Sequence, residues 1–179
     1  FGQDLWKIEY EVYDKIFIDE ADKELQQELN QNNSTPKYYA LVFNAEQSFF
    51  SEIERIDNTQ GKRNISMSTI DNNIYMDYSK NYYSIEGVYA NKNILVKDDL
   101  PKYNWTIHRD KKEILGIKAT KATTKINDSE IEAWFALDIK PKGGPVYFNG
   151  LPGLIIELNS NENLEGERYE TTFRLIKID

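Results

Sequence analysis

Apolar and polar residues alternate through most of the chain. Trp6, Ile8, Tyr10 and Val12 are separated by Lys7, Glu9 and Glu11, which predicts a strand with one wet face. Asp19–Gln31 differs: Ala21, Leu25 and Leu29 recur every four residues among Glu, Lys and Gln. That spacing predicts one short amphipathic helix, stopped by Asn32-Asn33-Ser34-Thr35-Pro36. From Lys37 the two-residue period returns. It predicts strands over Tyr38–Phe43, Phe49–Ile53, Ile74–Tyr78, Tyr82–Glu86, Val88–Val96, Tyr103–His108, Ile114–Ile126, Ile131–Ile139, Leu154–Leu158 and Arg168–Ile178. Polar clusters at Ser79-Lys80-Asn81, Arg109-Asp110-Lys111-Lys112 and Asn127-Asp128-Ser129 are read as turns, and Asp57–Asn64 as a loop.

Short, regular spacing implies sequential antiparallel hairpins. About ten meandering strands cannot stay flat, because strand twist accumulates across a sheet. The expected fold is therefore mainly β: a strongly curved antiparallel meander, an incomplete barrel, with one helix to cap it. No internal repeat or linker divides the chain, so 1–179 is expected to be one domain.

Composition narrows the chemistry. The net charge of −8 and pI near 4.8 argue against nucleic acid and anionic lipid surfaces as partners. The mean hydropathy of −0.67 and the lack of a long apolar run argue against an integral membrane protein. No cysteine is present, which removes disulfides, thiolate metal sites and a thiol nucleophile. No metal and no cofactor are expected. Phe1-Gly2-Gln3 has no initiator Met, so the chain is read as processed or trimmed.

Catalytic candidates are few. His108 is the only histidine and lies on the strand face opposite Trp105 and Ile107; it is read as a solvated side chain. No Gly-x-Ser-x-Gly elbow occurs, Asp57-x-x-x-Gly61 lacks the oxygen spacing of a calcium loop, and the Gly-rich stretches lack a P-loop Lys-Ser/Thr. Thirty acids leave a glycosidase-like carboxylate pair open. Five Asn-x-Ser/Thr sequons are expected by chance in so Asn-rich a chain.

Aromatics say more. In Ile131–Ile139 the odd positions are apolar, which puts Trp134 on the second face with Glu132 and Asp138. There it is wet, packed under a loop or helix, or lining a cavity. Trp105, Trp134, Tyr147 and Phe148 are the candidate binding residues, an aromatic wall if the sheet curls them together. Gly150, Leu151, Pro152, Gly153, Leu154 and Ile155 form a turn that leads straight into a strand, with Gly150 or Gly153 in a position closed to other residues.

That last string resembles the name-giving motif of the GLPGLI family. The similarity takes in Trp105-Thr106-Ile107, Glu113–Gly116 with Lys121-Ala122-Thr123, Glu132–Phe135, Gly144-Pro145 and Phe148–Ile155. Ile117 and Ala119 depart from it, standing where the family often has an aromatic and then a small polar or Cys residue. The resemblance brings no established activity. It implies an exported protein, periplasmic or outer-membrane-associated, and an analogy to the half-barrels of periplasmic lipoprotein carriers. The expected role is a non-enzymatic envelope protein whose curved sheet holds an apolar ligand, such as a lipid, or an envelope-protein segment. Two alternatives stand beside it: a carboxylate-based hydrolase, and an accessory subunit of an outer-membrane complex whose sheet edge accepts another strand.

Overall fold

The computed structural model describes residues 5–53, 73–89, 91–139 and 142–179. Among the described residues eleven strands and one helix follow in order: β1 (Trp6–Ile18), α1 (Lys23–Asn33), β2 (Lys37–Phe43), β3 (Gln47–Glu52), β4 (Asn73–Asp77), β5 (Tyr82–Tyr89), β6 (Lys92–Asp99), β7 (Thr106–Ile114), β8 (Ile117–Ile126), β9 (Ser129–Ala136), β10 (Leu154–Leu164) and β11 (Glu167–Ile178). All belong to one open antiparallel sheet, ordered β6-β5-β4-β3-β2-β1-β11-β10-β9-β8-β7. The loop expected over Asp57–Asn64 lies outside the described residues.

The first and last strands pair in the middle of the sheet, from Ile8 opposite Ile178 to Ile18 opposite Glu167. Two meanders run outward from that seam. Their outermost strands, β6 and β7, are consecutive in the chain. A flat eleven-strand sheet would hold its edges about 48 Å apart, whereas the seven steps from Asp99 to Thr106 reach at most about 25 Å. The connection therefore requires the sheet to curl.

Pairing registers define an apolar row across the inner face. Val96, Ile85, Ile74, Phe50, Leu41 and Ile8 stand opposite one another in turn on six successive strands. Beside this row lie Tyr10, Tyr39, Phe135, Leu158 and Phe173, all buried. The segment leading into β10 fills the hollow: Leu151 is buried in the core, and Ile155 N–H donates to the Gly143 carbonyl at 2.8 Å.

Several boundaries differ from the sequence reading. The helix is Lys23–Asn33 rather than Asp19–Gln31, because the Asp22 carboxylate caps it by accepting from Leu25 N–H at 2.9 Å. Asn33 then ties its end to β1, exchanging hydrogen bonds with both Ile16 N–H and Ile16 C=O. Arg109–Lys112 is no turn but the middle of β7, where the register shifts between Ile107 and Lys111; a charged, bulged edge strand mimics turn composition. Val88–Val96 and Ile114–Ile126 each contain a hairpin. Asn91 (φ 60°) turns the first, and Leu115 and Gly116 (φ 50° and 79°) turn the second. Two positive φ values in a two-residue loop match the twist of the flanking strands.

Candidate functional site

Three of the four aromatic candidates come together and one does not. Tyr83, Tyr147, Phe148, Tyr103 and Trp105 form a chain of rings with successive centroids 5.5, 6.1, 5.3 and 5.8 Å apart. Polar tips fix it. Trp105 Nε1–H donates to the Asn149 carbonyl at 2.8 Å, and the Asn149 amide donates to the Pro101 carbonyl at 3.1 Å. This cluster joins β5 to the link before β7 and so staples the curl. Burial among the rings raises the Tyr103 hydroxyl well above its ordinary pKa.

Trp134 lies on the opposite, outer face of β9, because Ile131, Ala133 and Phe135 take the inner one. It is half-buried. Its Nε1–H donates to Glu132 at 2.9 Å, and Lys112 Nζ stands 4.2 Å above its ring. Lys112 is in turn paired with Glu157 at 2.7 Å, and Lys121 with Glu132 at 2.6 Å. Burial works against ionisation of Glu132, but hydrogen bonds from Lys121 and Trp134 outweigh it and hold the carboxyl below its ordinary value.

The registers of β7–β11 arrange this outer face in rows. Lys121, Trp134, Glu157 and Arg174 form one. Thr106, Thr123, Glu132, Asn159 and Thr172 form the next, one residue from each of five strands. Lys125, Glu130, Asn161 and Glu170 form a third. The second and third rows line an open trough of about 970 Å³. His108 sits at its margin, with Nε2 2.8 Å from Thr123 Oγ1. Hydroxyl, amide and carboxylate groups thus alternate across a floor with inter-strand steps of about 4.8 Å.

The alternating pattern of β10 stops at Leu158, so the sequence alone does not reveal this trough. Asn159-Ser160-Asn161-Glu162-Asn163 has loop composition, yet it continues the strand to Leu164. The available signal was period two in Glu130, Glu132 and Trp134, set beside a Thr-rich neighbour, Lys118–Lys125.

Residues 24–171 match the sequence model of the family described as N-glycanase peptide, N-terminal domain. The chain belongs to this family. None of the curated proteins matches it. Among solved structures it is similar to PNGF-II in a C2 crystal form (18% identity, TM-score 0.64) and in a P21 form (17% identity, TM-score 0.65). In each case the alignment covers 99% of this chain and 28% of the other, so the chain spans little more than a quarter of those proteins. At such identities the likeness is one of fold.

The N-glycanase match overturns the resemblance to the GLPGLI family. It spans the whole stretch Trp105–Leu158 on which that resemblance rests. In the structure, the Gly-Leu-Pro-Gly-Leu-Ile string is the turn that plugs the sheet and opens β10, a packing solution rather than a badge of descent. The periplasmic or outer-membrane placement has no other support in the chain. No helix among the described residues is long and apolar enough to cross a membrane.

Proposed function

We propose that this chain is a glycan-contacting module and that a neutral or weakly charged oligosaccharide lies in the outer trough. One observation carries the reading: the row Thr106–Thr123–Glu132–Asn159–Thr172, which presents donors and acceptors across five strands inside a concave, half-exposed surface. Sugars need many hydrogen bonds of modest strength, and a lattice of Thr, Asn and Glu supplies them. Membership of the N-glycanase N-terminal family agrees with a carbohydrate partner. The aromatic candidates divide under this proposal. Trp105, Tyr147 and Phe148 serve packing, and Trp134 borders the ligand. An apolar guest on the inner face is less favoured, since the chain's own segment around Leu151 fills that hollow.

The carboxylate-hydrolase alternative needs an acid that keeps its proton near neutral pH. Glu132 is held in the other direction.

The test is a nitrogen-15 NMR titration with an N-linked oligosaccharide released from a glycoprotein. Shifts should concentrate at Thr123, Glu132 and Asn159. Asn159→Ala should weaken binding by about tenfold, the loss of one or two hydrogen bonds. An absence of shifts at millimolar sugar, or shifts confined to Tyr147 and Phe148, would refute the proposal.

A further inference from the structure

The two edges of the sheet are built in opposite ways. On β7, four charged residues follow one another at Arg109–Lys112, and the register breaks between Ile107 and Lys111. Charge and a bulge are the ordinary devices that keep a free edge from recruiting another strand. On β6 the arrangement is different. It pairs with β5 without a break from Tyr82–Asp99 to Tyr89–Lys92, contains no proline, and is exposed at every residue. Ile94, Leu95 and Val96 stand at its centre, 41%, 66% and 45% exposed. The apolar row of the core that begins at Ile8 ends on Val96, so the row runs out into solvent at this edge.

The pattern of β6 selects its partner. When an edge strand pairs antiparallel with a copy of itself, the twofold axis stands perpendicular to the sheet and each face continues into the same face of the second copy. With the axis at Leu95, Lys92 stands opposite Asp98 and Ile94 opposite Val96, each twice, all on the inner face. Leu95 meets Leu95, and Asn93 meets Lys97, on the outer face. Moving the axis to Ile94 sets Lys92 against Val96. Moving it to Val96 sets Ile94 against Asp98. Only the register centred on Leu95 matches charge with opposite charge and apolar with apolar.

We propose that β6 is a self-association edge through which two copies of this chain join antiparallel about Leu95, making one continuous sheet. The occupant is a second copy because the strand is complementary to itself in a single register.

The chain has no cysteine, so Leu95→Cys introduces a lone thiol. Residues directly opposite in an antiparallel pair have Cα atoms about 4.5–5.5 Å apart, within disulfide reach. Mild oxidation should therefore give a covalent dimer of Leu95→Cys. It should not do so for Asn93→Cys, whose own counterpart lies about 14 Å along the strand. By sedimentation equilibrium the unsubstituted chain should dimerise. Lys92→Asp and Asp98→Lys should each weaken the dimer about tenfold, and the double variant should restore it. All four positions are exposed, and unchanged circular dichroism verifies folding. A chain that stays monomeric up to about 0.5 mM, equal cross-linking at 93 and 95, or a double variant that fails to recover would overturn the proposal.

Discussion

Tyr10 donates its hydroxyl to the backbone carbonyl of Ile155 at 2.6 Å, across 145 residues of sequence. Both residues are fully buried. The bond lies where β10 departs from regular pairing: the register with β9 shifts between Ile155 and Glu157, and such a shift interrupts the ladder. Tyr10 brings a buried side-chain donor to the Ile155 carbonyl at this point, while Ile155 N–H donates to the Gly143 carbonyl. Burial raises the Tyr10 hydroxyl well above its ordinary pKa, so it remains a donor. Tyr10→Phe should keep the ring packing against Phe50 and Phe173 but take the buried hydroxyl donor away from that carbonyl. A loss of about 1–3 kcal/mol in urea unfolding is expected, and a variant as stable as the parent would show that the bond contributes nothing.

The two glycines of the turn before β10 are needed for different reasons. Gly150 has φ +90°, a backbone closed to most side chains, but a Cβ there would touch nothing nearer than 3.7 Å. Gly153 lacks the unusual φ. Its Cβ would instead lie 1.9 Å from the Ala136 carbonyl oxygen, which is backbone and cannot step aside. Gly150→Ala should therefore cost about 1–3 kcal/mol of strain. Gly153→Ala should cost more, because the turn must separate from the end of β9. Chemical denaturation of the two variants side by side tests the order, and Gly150→Ala being the more damaging would reverse the argument.

This pair of glycines illustrates what could be read in advance. Period two in β1 and β9 and the polar turns at Ser79-Lys80-Asn81 and Asn127-Asp128 were local, so most strands and the curvature were legible, whereas the tight turns at Asn91 and Leu115-Gly116 lay hidden inside apolar runs. The role of Gly153 depends on Ala136, seventeen positions earlier, and no local pattern records that contact. The outer trough was hidden for a similar reason. Asn159 and Asn161 have loop composition, and only pairing with β9 and β11 makes them a strand. A six-residue turn motif carries less family information than similarity distributed over residues 24–171, because the turn answers to local packing and the wider match to the whole sheet.

Asp77 is fully buried at the end of β4, where Ser79 Oγ donates to its carboxylate at 2.7 Å and Lys80 N–H at 2.9 Å. The hydrogen bond from Ser79 is the leading reason its pKa falls far below the ordinary carboxylate value; burial opposes this, and Lys80 and Gln47 assist. A carboxyl whose pKa is lower folded than unfolded stabilises the fold above its unfolded pKa. That contribution drains away as pH falls toward the folded value. Asp77→Asn should accordingly be less stable than the parent at pH 7. The gap should begin to close only below about pH 4. A gap that stays constant from pH 7 to pH 2 would mean that ionisation of Asp77 is irrelevant to stability.

Glu132 links the trough to an optical signal, since it accepts from Trp134 Nε1–H and faces Lys121. Its pKa is lowered despite burial, through the hydrogen bonds from Lys121 and Trp134. The Lys121–Glu132–Trp134 arrangement should thus be intact above the ordinary glutamate value near about 4.3 and come apart only below it. Trp134 fluorescence should stay flat from pH 7 to about pH 4.3 and change at lower pH. Trp134→Phe should abolish the change, leaving Trp6 and Trp105 silent. Glu132→Gln should shift the emission at neutral pH and remove its acid limb. If sugar hydroxyls donate to the ionised carboxylate, oligosaccharide binding should weaken over that same acid range, and Glu132→Gln should bind weakly at every pH. A fluorescence transition centred above about 4.3 would place Glu132 on the other side of its ordinary value and undo this account of the trough's electrostatics.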